Sequence, residues 1–131
     1  MTNPTLARWH DLLAARDITR LDALLAADAV FHSPVVHTPQ RGRELVKFYL
    51  TGAFHVLLND SFHYVREVVG ERDAVLEFVV EVDGLQVNGV DMIHWNAAGE
   101  IDDFKVMIRP LKAINLLHEK MRQMLESLKR P

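Results

Sequence analysis

The chain has 131 residues, 49% of them hydrophobic and 25% charged, with a net charge of −3 and no cysteine. That length and composition describe a single globular domain with a sizeable core and argue against disorder. No overall field draws it to nucleic acid or an anionic membrane. Without cysteine it has no disulfide framework, no thiolate nucleophile and no Cys-ligated zinc.

The first element is an amphipathic helix over residues 5–16, on which Leu6, Trp9 and Leu13 recur at helical spacing. Charge arrives early, at Arg8 and Asp11, so this stretch is not a signal peptide. A short second helix is expected over 19–27, capped by Thr19 and carrying Leu21, Leu24 and Leu25. "AVFHSPVV" is then a strand or extended segment broken by Pro34, and "HTPQRG" is a loop. Leu45, Phe48, Tyr49, Gly52 and Val56 set one face of a third helix over 43–57.

The period then changes from helix to strand. "SFHYVREVV", "AVLEFVVEV", "LQVNGVDMIHW" and "IDDFKVMI" read as four strands, with Gly70, Asp83-Gly84 and "NAAGE" as their turns. Such short turns make an antiparallel meander. Pro110 opens a last helix over 110–129, with Ile114, Leu117, Met121, Leu125 and Leu128 along one face. Helices followed by an antiparallel run predict an α+β fold: a curved, mostly antiparallel sheet wrapped around helices as a cone. A cone of this kind leaves a concave, mostly apolar cavity, the usual form of a small-molecule site.

One residue is out of keeping with its strand. In "NGVDMIHW", Asp91 lies among Val90, Met92, Ile93 and Trp95 with no basic neighbour. A carboxylate is costly to bury unpaired. Strand alternation turns Asp91 to the same side as Ile93 and Trp95, toward the cavity. It reads either as a pocket acid, its pKa raised by desolvation, or as a structural carboxylate bonded to a backbone amide or a tyrosine. His32 and His37, flanking Ser33-Pro34, are the candidate proton acceptors, although His32 and Ser33 cannot both face inward from a regular strand. His55 and His63 could reach the mouth, whereas His10 and His118 read as helix-surface residues. Trp9, Tyr49, Phe54, Phe104, Val106 and Ile108 are expected to line the pocket with Ser33, Ile93 and Trp95. No metal-ligand spacing such as HExxH occurs, and no cofactor motif is evident, so neither a metal nor a cofactor is expected.

"LLAADAVFHSPVVHTPQRG" and "GVDMIHWNAAGEI", in this order of elements, resemble the nuclear transport factor two-like (cystatin-like) superfamily. Within it the chain resembles the SnoaL-like and ketosteroid-isomerase-like proteins, as a single SnoaL-like domain over 1–131. The resemblance implies three site positions in the ketosteroid isomerases: an Asp base, a Tyr on the first helix and a protonated Asp. On this sequence they fall on Ser33, Trp9 and Asp91. Serine cannot take a proton at neutral pH without a partner base, which argues against ketosteroid isomerase activity. The Asp-Arg-Asp set of the limonene epoxide hydrolases, also similar, falls on Asp91, Gly89 and Val106. Two functions are therefore expected. One is a cofactor-independent isomerase, cyclase or hydrolase moving protons on a small apolar substrate; the other is a non-catalytic binding or association module. The outer sheet face, with Val75 and Val79 beside Glu77, is only half polar and is expected to pair two copies as a homodimer. The expected setting is cytoplasmic, with neither a nucleic-acid nor a membrane partner.

Overall fold

A computed structural model describes residues 3–129; Met1, Thr2, Arg130 and Pro131, at the ends of the expected domain, lie outside the described residues. Helix α1 (Pro4–Ala15) begins one residue earlier than its hydrophobic pattern suggests, because Asn3 caps it. The Asn3 side chain accepts a hydrogen bond from the Leu6 amide at 3.1 Å, and Pro4 occupies the first turn, where its missing N–H costs nothing.

The expected helix over 19–27 is shorter than its pattern. A 3₁₀ turn (Ile18–Arg20), capped by Asp17 rather than Thr19, leads into one α-turn, α2 (Leu21–Leu24). Leu25 and Ala26 then enter strand β1 (Leu25–His32). Leu25 pairs in parallel with Ile101 and is wholly buried, and sheet pairing with burial outweighs helix propensity there. Within the expected loop, β2 (Gln40–Arg41) pairs with Phe31 and Val30. Helix α3 (Arg43–Leu57) follows, then the meander β3 (His63–Val69), β4 (Asp73–Val82), β5 (Leu85–Trp95) and β6 (Ile101–Arg109), and finally α4 (Leu111–Lys129). Pro110 precedes α4, and its carbonyl accepts from the Ala113 and Ile114 amides.

The six strands form one sheet in the order β2-β1-β6-β5-β4-β3, antiparallel except where β1 meets β6. Irregularities in register at Tyr64/Arg66 and His94/Trp95 bend the sheet, as bulges do. Its inner rows run Ala74, Leu76, Phe78, Val80 and Val82 on β4, and Val87, Gly89, Asp91, Ile93 and Trp95 on β5, all buried. Glu77 and Glu81 face outward. The helices cover the inner face, and the two hydrophobic clusters beneath them include Trp9, Phe31, Leu50 and Phe104 in one, and Phe78, Val80, Val87 and Leu117 in the other. No helix among the described residues is long and apolar enough to cross a membrane.

Candidate functional site

Between the inner sheet face and α1, α3 and α4 lies a cavity of about 240 Å³. Its wall is nearly all aliphatic and aromatic. Trp9 closes one side, its ring 5.1 Å from Phe104 and 5.7 Å from Phe54 between centroids. Of the residues expected to line the pocket, Trp9, Ser33, Tyr49, Phe54, Phe104, Val106 and Ile108 do so together with Asp91.

Asp91 is 7% exposed and faces this cavity. Its partner is Tyr64 on β3, whose hydroxyl donates to Asp91 Oδ2 at 2.6 Å. Tyr64 in turn accepts from Trp9 Nε1 at 3.0 Å, so three side chains from α1, β3 and β5 form one hydrogen-bonded chain. Burial pushes the Asp91 carboxyl up to about 7, and the Tyr64 hydrogen bond pulls the other way. Tyr64 is held well above its ordinary range, by burial first and then by the adjacent carboxylate. The tyrosine therefore stays protonated at neutral pH while Asp91 is poised to take or give a proton.

Tyr64 lines the cavity beside Asp91 without being marked by the sequence pattern. The chain has only two tyrosines, and the pattern along the third helix directs Tyr49 to the pocket. Tyr64 sits opposite Phe78, and Phe78 opposite Gly89, so Tyr64 reaches Asp91 diagonally across β4. That contact crosses an intervening strand, and sequence spacing does not encode it. Gly89 on β5 has no room for a side chain: a Cβ would come 2.5 Å from Phe78 Cζ and 2.7 Å from Ile108 Cδ1. The Phe78 and Ile108 side chains take the space beside the glycine.

Four expected site residues lie elsewhere. Phe31 points inward, so alternation turns His32 to the outer face, where Nε2 lies 3.0 Å from Asp103 Oδ2. His37 is exposed in the loop after Pro34 and is not part of the cavity wall. Neither histidine lines the cavity that Asp91 faces. Ile93 and Trp95 do share the inward row of Asp91, but they are packed into the core cluster rather than the cavity wall. Ser33 does reach the wall, and its hydroxyl oxygen accepts from the Val35 amide at 3.1 Å, a local turn bond. His118, which reads as a surface residue, stands on the cavity rim with Arg122. Among the described residues no group of three or more His, Asp or Glu could hold a metal ion.

A family model for the SnoaL-like domain matches residues 6–104. Among solved structures, a steroid delta-isomerase from Pseudomonas aeruginosa is 40% identical, with 95% of this chain and 90% of that chain covered and a TM-score of 0.90. A protein from Silicibacter pomeroyi described as having a cystatin-like fold is 34% identical over 93% of this chain and 85% of its own, with a TM-score of 0.85. A nuclear transport factor two-like protein from Mesorhizobium loti, at 18% identity, 81% and 88% coverage and a TM-score of 0.69, shares the fold. No curated protein matches the chain in sequence.

Proposed function

Since the chain belongs to the SnoaL-like domain family, we propose that it binds a small, mostly apolar carbonyl compound in its cavity and isomerises it by proton transfer through Asp91. The observation that carries this reading is the Asp91–Tyr64 hydrogen bond at 2.6 Å in an otherwise apolar cavity. One carboxyl there is enough to remove a proton next to a carbonyl and return it elsewhere on the same molecule.

The steps balance without a cofactor. Asp91, ionised, takes a proton from the carbon between the carbonyl and the double bond of a β,γ-unsaturated ketone, leaving a dienolate. Once protonated, Asp91 no longer needs the hydrogen bond from Tyr64. The Tyr64 hydroxyl then turns its donor to the enolate oxygen, where charge is developing. Asp91 returns the proton to the γ-carbon and the double bond moves by one position. Trp9 Nε1 holds the tyrosine oxygen throughout. The roles differ from those implied by resemblance: the carboxyl at position 91 is the base rather than a fixed donor, and Tyr64 is the donor in place of Trp9. A base at Ser33 is then unnecessary. The similar steroid delta-isomerase of Pseudomonas aeruginosa favours this class of reaction.

The test is conversion of a β,γ-unsaturated cyclic ketone to its conjugated isomer, followed by ultraviolet absorbance, with a bicyclic β,γ-unsaturated ketone as a second substrate. Activity lost in Asp91→Asn supports the reading. Wild-type protein that binds such ketones without converting them would leave the binding-module function in its place. We propose further that the protein acts as a homodimer joined through the outer sheet face.

A further inference from the structure

Helix α4 lies beyond the stretch matched by the family model, which ends at residue 104. Yet it supplies Leu117, His118, Met121, Arg122 and Leu125 to the cavity wall. Leu117, Met121 and Leu125 are four residues apart and form one stripe on the helix. The fit against α3 is close at a single glycine: a Cβ on Gly52 would come 2.9 Å from Leu125 Cδ2 and 3.3 Å from Met121 Cε. Where α4 approaches most tightly, α3 has no side chain. The stripe therefore packs against α3 while forming part of the cavity wall.

The resulting volume, about 240 Å³, has a physical meaning. A dry apolar cavity of about 150 Å³ takes one benzene ring, and drug-sized sites start at about 300 Å³. The space here lies between the two. At the rim, Arg122 donates to both oxygens of Glu119 and to Glu126 Oε1 at 3.2 Å. Its charge is already balanced, so an anionic ligand group would lose hydration there without gaining a free cation. The polar demand of the site is concentrated at Asp91 and Tyr64.

We propose that α4 is the specificity-determining wall of this site, with Met121 and Leu125 limiting the ligand to a neutral molecule of about two fused rings. The position of the ligand's polar group rests on the proton-transfer reading above, whereas the size limit rests on the cavity alone.

The experiment is a fluorescence titration of the full chain with naphthalene, phenanthrene and 2-naphthoate, in wild type, Met121→Ala and Leu125→Ala. Apolar area alone favours phenanthrene. The expected wild-type result is the reverse, naphthalene binding at least about tenfold more tightly, with 2-naphthoate about tenfold weaker than naphthalene. Each alanine variant should narrow or invert the hydrocarbon preference. Phenanthrene binding as tightly as naphthalene in wild type, no binding of either, or an unchanged ratio in both folded variants overturns the size limit. Equal affinity for 2-naphthoate and naphthalene overturns the neutral-ligand part. If neither variant folds, the wild-type comparison decides. Tetralin and 2-tetralone separate the two proposals. Equal affinity for the pair, with the hydrocarbon order as expected, removes the polar role of Asp91 and leaves the size limit standing.

Discussion

Asp91 ties stability to pH as well as to chemistry. Its folded value, about 7, lies above the 3.8 of an unperturbed carboxyl. Below about pH 4 both folded and unfolded chains hold the proton, and Asp91 costs nothing. As pH rises from there, the unfolded chain releases it first and stability falls. The loss is complete above about 7, at on the order of 4 kcal/mol. Asp91→Asn keeps an oxygen to accept from Tyr64 but cannot ionise. Relative to wild type it should gain about 2–3 kcal/mol between pH 5 and pH 8, measured by urea unfolding at each pH. A constant difference across that range would mean that Asp91 is not desolvated. The same substitution should lower isomerisation by about 10²-fold or more, the usual worth of a positioned acid–base group. Tyr64→Phe removes the donor that lowers Asp91, so the rising limb of the pH–rate profile should move above about 7. The rate should also fall by about 10²–10³-fold. A Tyr64 that only tunes Asp91 would move the limb but leave the maximal rate nearly unchanged.

Among the elements, β5 shows how the sheet shapes the cavity. Its inner row alternates large residues with Gly89, and the Phe78 ring on β4 and the Ile108 side chain on β6 close over the gap. Gly89→Ala would force both side chains to shift, and both line the cavity. The expected cost is about 1–3 kcal/mol in urea unfolding, the range for overpacking, together with weaker ligand binding. An alanine accepted at no cost would mean that the strands can separate locally. At Gly52 the sign differs. There the nearest atoms are the ends of flexible side chains, and a helical alanine gains up to about 1 kcal/mol in propensity. Gly52→Ala should therefore alter ligand size preference more than stability, read by the same titration series and unfolding curves.

For the whole molecule, the outer sheet face carries rows of apolar residues. Val68 faces Val75, and Val75 faces Met92 in the next strand; Val90 faces Met107. Val68 is 60% exposed and Met107 51%. Glu77 in this face pairs with Arg66 at 3.6 Å, so the surface mixes apolar rows with a balanced charge pair. These exposed apolar rows are the observation behind the proposed homodimer. Sedimentation at micromolar concentration should give twice the 15.0 kDa chain mass, and Met92→Lys should shift the population to monomer without loss of fold. A wild-type monomer would end the dimer proposal.

The sequence alone determined the first, third and last helices, the meander and the inward turn of Asp91, because these follow from periodicities of 3.6 and 2 and from turn chemistry acting over a few residues. The same alternation correctly separates Leu76, Phe78, Val80 and Val82 from Glu77 and Glu81. It could not give the partner of Asp91, because Tyr64 lies 27 residues away and reaches it across a strand. Nor could it keep His32 out of the cavity, since Pro34 leaves the direction of the strand end open until Phe31 is buried. The second helix ended early for the same kind of reason, its last leucine drawn into the sheet beside Ile101. Local pattern fixes which face a residue occupies; which residues meet across that face is decided by register, bulges and the closeness of helix packing, all of which exist only once the chain has folded.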